Sequence, residues 1–273
     1  MHRSDDPTPE TSTPMYDEWG DLRAIVAIPV YNEQRYIDAV LSRVLQYTRD
    51  VLVIDDGSTD RTPAMLARHP VYVLRHPTNM GYGRALRDAF TFAAGHGYDW
   101  IITMDCDEQH EPASIPGFIR AAAADDADII SGSRYIASMD ESTEPPADRR
   151  AINVALTAEI NDRLDWSLTD SFCGFKAHRV SSLAKLRLTE TGYAFPMQFW
   201  VQCAANNLRV REIPVKLIYK DHTRRFGGGL DDPHVRLAHY RSVLHSELCR
   251  QSHRLPSQAV AELSMPCGGS TQL

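Results

Sequence analysis

The 273-residue sequence contains no apolar run near the roughly 18 residues that cross a bilayer. Its opening, "MHRSDDPTPETSTP", has none of the apolar core that a secretion signal carries. A cytoplasmic location is therefore expected, with any membrane contact peripheral, at the inner face. Cysteine is scarce: Cys106, Cys173, Cys203, Cys249 and Cys267 are odd in number, scattered and without C-x-x-C pairing. That argues against a disulfide framework or a zinc site and favours a reducing compartment. Positive charge is also short, with 29 Lys and Arg against 36 Asp and Glu, a net charge of −7. Bulk attraction to nucleic acid is absent, so nucleic acid is not an expected partner. None of the 11 histidines falls in an H-x-x-H pair, and they read as structural or surface residues.

What is present is an ordinary core-forming composition, 43% hydrophobic and 24% charged, enough for one large α/β domain. Residues 1–20, rich in Pro, Thr, Ser and acid, read as a disordered tail, and 251–273 as a C-terminal tail, leaving 21–250 as the domain. Within it short apolar runs alternate with helical patterns. Strands are expected at 22–30, 50–57, 71–76, 98–105 and 127–135. Helices are expected after the first strand, where Ile37, Val40, Leu41, Val44 and Leu45 share a face, from "NMGYG" to about Ala94, and over 114–124. Such alternation implies right-handed βαβ units and a mostly parallel, Rossmann-like sheet flanked by helices. Ligands of such sheets sit outside the carboxyl ends of the strands, where each polar motif here falls. Beyond Tyr135 the pattern predicts a polar loop at 138–150, then helices at 151–164, 179–186, 196–206 and 233–250. "DSFCGFKAHR" reads as loop, and 209–220 as a late edge strand because of Pro214.

The run "WIITMDCDEQH" carries Asp105 and Asp107 straight off an apolar strand. A D-x-D at a strand end can hold a hard divalent cation through oxygen ligands, with Gln109 adding an amide oxygen. Standing alone, the same pair reads as a solvated acidic loop. "VIDDGSTDRT" offers Asp55 and Asp56, which suit the N–H edge of a nucleobase or, equally, a turn with a helix cap. "NMGYGRALR" places Asn79, Gly81 and a second glycine at a helix start, a position that favours a phosphate. Arg134, ending the strand in "SGSRY", offers a guanidinium fork for phosphate oxygens.

Taken together and in order, "VAIPVYNEQRYI", "VIDDGSTDRT", "NMGYGRALRDAF", "MDCDEQHEP", "SGSRY" and "TDSFCGFKA" resemble the family 2 glycosyltransferases of GT-A fold. Within that family the likeness is to polyprenol-phosphate (dolichyl-phosphate) mannose synthases, over about residues 22–225. The resemblance implies a nucleotide half at about 22–107 and an acceptor half at about 108–250. It puts Pro29, Tyr31 and Glu33 beside the base and ribose, Asp55 or Asp56 on the base, and Mg²⁺ or Mn²⁺ on Asp105 and Asp107. It also implies that Arg149 and Arg150 form a basic pair near donor or acceptor phosphates, without choosing between them. After the late strand the chain departs from the family pattern and reads "YKDHTRRFGGGLDDP", where Lys220 and Arg225 keep the positive charge.

The expectation that results is inverting, metal-dependent transfer of a hexose from a nucleoside-diphosphate sugar, GDP-mannose or UDP-glucose, to a polyprenyl phosphate. Asp107, Asp170 and Arg134 are the candidate catalytic residues. A lipid phosphate needs no base, whereas a soluble hydroxyl acceptor would need one, and Asp170 is the candidate. Two other readings are a non-catalytic nucleotide-binding module and a sugar-nucleotide pyrophosphorylase. The latter family carries a Gly-rich first loop, in place of "PVYNEQRY" here. The last helix, with Leu237, Tyr240, Leu244 and Leu248 on one stripe and Arg236, Arg241, Arg250 and Arg254 nearby, suits either an anionic membrane surface or packing on its own domain.

Overall fold

Each apolar run that precedes a polar motif forms a strand, and all the described strands join one sheet. The structure, a computed structural model, describes residues 22–107, 109–136, 145–216, 218 and 226–263. The strands are β1 (Ala24–Val30), β2 (Val51–Asp55), β3 (Tyr72–Arg75), β4 (Trp100–Thr103), β5 (Ile129–Ser133), β6 (Lys176–Arg179) and β7 (Val210–Pro214). They lie in the order β3-β2-β1-β4-β6-β5-β7. β1 pairs in parallel with β2 and β4, β2 with β3, and β5 with β7; β6 runs antiparallel, between β4 and β5. β1, β2 and β4 are covered on both faces, which is why their sequences are nearly unbroken apolar runs.

Helices α1 (Ile37–Val44) and α4 (Ile115–Ala123) cover one face of the sheet. The other face is covered by α3 (Tyr82–Gly95), α5 (Ala147–Leu164), α7 (Phe195–Ala205) and α8 (Pro233–Arg250). Short helices α2 (Thr62–Leu66) and α6 (Val180–Leu183) complete the set. α1 buries Ile37, Val40, Leu41 and Val44, the face its periodicity marks. α8 begins at Asp232, whose carboxylate accepts from the amides of His234 and Val235.

Two expectations are corrected, one open alternative is decided, and one cysteine bridge is added. "KAHR" is not loop but β6, a central strand. Its charged residues hide the strand signal, yet Lys176 and His178 are buried because β4 and β5 flank it. The arginines around α8 are engaged within the protein: Arg236 with Asp148 at 2.6 Å, Arg241 with Glu159 at 2.8 Å, Arg250 with Glu247, and Arg254 with the Asn206 amide oxygen at 2.8 Å. Tyr240, Leu244 and Leu248 face the core, each contributing roughly 1.5–3 kcal/mol by burial. The helix is therefore a packed wall of the domain. The segment after residue 250 also continues the fold as far as 263, with Ala259 fully buried and its carbonyl accepting from Arg163 at 3.1 Å. Finally, Cys249 is disulfide-bonded. Scattered spacing argues against a framework of bridges but carries no information on a single one.

Candidate active site

β4 ends at Thr103, and the chain turns to present Asp105 and Asp107 at the carboxyl edge of the sheet. The turn is held from below by His110. The Asp105 amide donates to His110 Nδ1 at 3.1 Å, so this ring nitrogen is an acceptor. Burial pushes the His110 imidazole down to about 4, which Asp107 opposes, and the ring stays neutral as that bond demands. The Asp105 carboxylate accepts from the Tyr82 hydroxyl at 3.3 Å. It also lies against Gly174, where an added Cβ would fall 2.5 Å from Oδ2. Asp107 Oδ1 accepts from the Gln109 amide at 3.1 Å.

Asp105, Asp107 and Gln109 line one cavity of about 660 Å³. Among the described residues no three His, Cys, Asp or Glu side chains converge as a complete metal cage. Two carboxylates and an amide are hard oxygen donors. They suit Mg²⁺ or Mn²⁺, Mg²⁺ in particular taking one or two carboxylates and completing its shell with water and phosphate oxygens.

Pro29, Tyr31, Glu33, Asp56, Asn79 and Gly81 line the same cavity, and Asp55 does not. Asp55 is fully buried; its Oδ1 accepts from the Ser58 amide at 2.8 Å, and Arg75 Nε lies 3.2 Å from Oδ2. Its work is to shape the turn after β2. Asn32, at φ 57°, ties that turn to the loop after β1 by accepting from the Thr59 amide at 2.9 Å. Asp56 accepts from the amides of Met80 and Gly81, both at 2.8 Å, and faces His76 Nδ1 at 2.6 Å. His76 in turn reaches Asp88 at 2.9 Å.

These bonds correct the expectation of a phosphate at the start of α3. The Met80 and Gly81 amides are held by Asp56, while those of Gly83 and Arg84 donate to the Thr191 carbonyl at 2.8 and 3.2 Å. Gly81 is needed for that approach: it sits at φ 99°, and a Cβ would fall 2.3 Å from the Thr191 oxygen. The glycines admit a neighbouring loop, so the dipole of α3 is capped from within. The Arg84 side chain pairs with Asp88 at 2.7 Å.

Arg134 lines the cavity and is braced by Asp170 through two parallel bonds, Nε to Oδ2 at 2.6 Å and Nη2 to Oδ1 at 2.8 Å. Asp170 also accepts from Asn153 at 2.8 Å and from the amides of Arg134 and Phe172, both at 3.2 Å. Burial pushes its carboxyl up, but the Arg134 charge and bonds outweigh that and hold it near 2. Burial likewise disfavours the guanidinium, and Asp170 more than restores it, so Arg134 stays charged. Asp170 does not line the cavity, which corrects its expected place among the reacting groups. A saturated, strongly acidic carboxylate orients Arg134 and is poorly suited to accept a substrate proton. Of the basic pair, Arg149 lines the cavity, 4.8 Å over the Phe226 ring, and Arg150 is exposed outside it. Lys220 and Arg225 lie outside the described residues.

The cavity also takes side chains that sequence reasoning did not assign: Lys176, Tyr82, Tyr193, Phe226, Arg236 and Tyr240. Lys176 donates to the Cys173 carbonyl and lies 5.2 Å from the Trp200 ring, with burial lowering its pKa. The lone lysine in "GFKA" is the signal that could have found it. The aromatic residues carry no signal short of the tertiary fold, since they arrive from four separate segments. Tyr82 stacks on Tyr193 at 5.9 Å, and Tyr193 meets Phe226 edge-on at 5.3 Å.

Comparison with known proteins identifies the family and the fold. Residues 25–187 match the family model "Glycosyl transferase family 2". The undecaprenyl-phosphate mannosyltransferase of Micrococcus luteus is 30% identical over 73% of this chain and 85% of its own. The polyprenol monophosphomannose synthase of Mycolicibacterium smegmatis is 29% identical over 71% of this chain and 76% of its own. Among solved structures, the glucosyl-3-phosphoglycerate synthase of Mycobacterium tuberculosis, in complex with Mn²⁺, UDP-glucose and glycerol 3-phosphate, superposes with a TM-score of 0.66 at 17% identity. That match covers 93% of this chain and 87% of the other, and it shows the shared GT-A fold.

Proposed function

Because this chain belongs to glycosyl transferase family 2 and is a hexosyltransferase, we propose that it moves a hexose from GDP-mannose or UDP-glucose to the phosphate of a polyprenyl phosphate. The observation that carries the proposal is the gathering of Asp105, Asp107, Arg134 and the loop residues Pro29, Glu33 and Asp56 around one cavity at the strand ends. The names of the two curated relatives support the lipid acceptor. Residues 22–107 form the nucleotide half and 108–250 the acceptor half. The protein meets its acceptor as a peripheral visitor to the membrane; among the described residues no helix is long and apolar enough to cross one.

On this reading Pro29, Tyr31 and Glu33 flank the base and ribose, and Asp56 rather than Asp55 reaches them, since Asp56 lines the cavity. Asp105 and Asp107, with Gln109, would hold Mg²⁺ or Mn²⁺, which when bound stabilises negative charge on the leaving diphosphate as a Lewis acid. Arg134, charged and locked by Asp170, is set for phosphate oxygens. Arg149 supplies a second cation at the cavity wall. A phosphate monoester has a second pKa near 6, so at neutral pH it is an oxyanion that attacks without a base. Its oxygen bonds to the anomeric carbon as the bond to the diphosphate breaks, inverting that centre. The acidity and burial of Asp170 support this acceptor over a hydroxyl, which would need proton removal.

The test is transfer of radiolabelled mannose from GDP-mannose, and of glucose from UDP-glucose, to added polyprenyl phosphate with Mn²⁺. Label in the organic phase is the expected result. Label confined to a water-soluble product would sink the lipid acceptor, and full activity of Asp107→Ala in excess EDTA would sink the metal role.

A further inference from the structure

The family match ends at residue 187, and residues beyond it complete the cavity wall beside Asp105. Glu247, on α8, is 1% exposed. Its Oε1 accepts from Gln202 at 2.6 Å and from Gln251 at 3.0 Å. Its Oε2 accepts from Gln198 at 2.9 Å and from Arg250. Gln198, on α7, is equally committed: its Nε2 donates to Glu247 and to the Thr189 hydroxyl at 3.0 Å, and its Oε1 accepts from the amides of Thr189 and Glu190, both at 2.7 Å. Glu190 then folds back onto the Gly192 amide at 2.8 Å. Thr191 presents its carbonyl to the start of α3, and Tyr193 stacks on Tyr82, whose hydroxyl reaches Asp105. The Glu247 carboxylate demands a donor on one side of the Gln198 amide and the two backbone N–H groups demand an acceptor on the other, so both ends agree on one orientation.

We infer that Gln198, oriented by Glu247, is a positioning residue that holds the 189–193 loop and with it the Tyr82–Tyr193 wall, and so determines how the acceptor is received next to Asp105. The inference rests on the hexosyl-transfer reading for its kinetic consequence, while the loop restraint itself is independent of it. Donor affinity should change far less, because the loops bearing Pro29, Glu33 and Asp56 keep the bonds of Asn32, Ser58 and His76, and Asp56 those of the Met80 and Gly81 amides.

Gln198→Leu keeps the volume and removes all four side-chain bonds, three of them to Thr189 and Glu190. Hydrogen exchange at the amides of 189–193 should quicken by about tenfold or more, the loss expected for roughly one or two net hydrogen bonds. In the transfer assay the acceptor KM should rise and kcat/KM fall by about tenfold, with the Kd for nucleoside diphosphate and Mn²⁺ within about twofold of wild type. The double variant Gln198→Leu, Glu247→Gln should be no worse than the poorer single variant, as members of one network are non-additive. Should Gln198→Leu not fold, Tyr193→Ala, at a partly exposed position, should reproduce the kinetic pattern. Unchanged exchange in 189–193, additive effects, or a nucleotide Kd that moves as far as kcat/KM would overturn the inference. A wild-type enzyme with no transfer but with exchange released by Gln198→Leu would instead fault the functional reading and leave the brace standing.

Discussion

Asp107 follows β4 and Asp170 lies in the connection between α5 and β6, and the surroundings of the two acids are opposite. Asp107 lines the cavity, and its Oδ1 accepts from the Gln109 amide. Asp107→Asn should keep the fold and lower turnover by about 10²-fold or more, measured at saturating Mn²⁺, because an amide cannot balance the metal charge. Asp170 is sealed beneath Arg134. Asp170→Asn leaves a buried guanidinium without its counter-charge and should cost about 3–5 kcal/mol in urea unfolding, a far larger penalty than a surface pair would give. A surviving stability within about 1 kcal/mol of wild type would show that the pair is worth no more than an exposed one.

At the scale of elements, the site depends on loops approaching more closely than side chains allow. Gly174 leads into β6 and leaves room for the Asp105 carboxylate. Gly174→Ala should displace that carboxylate, raising the Mn²⁺ concentration for half-maximal activity while changing the unfolding midpoint little. Gly81→Ala faces both a left-handed backbone and the Thr191 carbonyl, and should destabilise the start of α3 by roughly 1–3 kcal/mol, visible as faster exchange in residues 79–86. The insertion of β6 between β4 and β5 brings Lys176 and Gly174 to the acidic pair. That insertion turns a polar tetrapeptide into the middle of a sheet.

Across the whole molecule, buried histidines tie stability to pH. Burial lowers His110 from 6.5 to about 4, and His178 to about 3. Both values lie below those of the unfolded chain, so the unfolded state binds more protons in the window beneath pH 6.5. Their contribution is complete above about pH 6.5 and is lost as pH falls through 4 and 3. Asp170, also lowered, adds its own loss between about 4 and 2. Urea unfolding should therefore show stability declining from about pH 7 to about pH 5, and His178→Phe should flatten part of that slope. A slope unchanged by this substitution would mean that His178 titrates normally in the fold.

Read alone, the sequence determined the alternation of strands and helices, the face of α1, the edge position of β7 and the cluster of polar motifs at the strand ends. These are local properties, set by periodicity, by proline's missing donor and by the βαβ rule. It also marked Asp105 and Asp107, because acids directly after an apolar strand break its pattern. The tertiary structure alone decided which neighbour of a tied pair faces the cavity, Asp56 and not Asp55, Arg149 and not Arg150, and that Asp170 braces Arg134. Those choices turn on burial and on partners distant in sequence. The capping of α3 by Thr191 and the aromatic wall from residues 82, 193, 226 and 240 belong to the same class, for contacts made across the chain leave no period in the segments that make them.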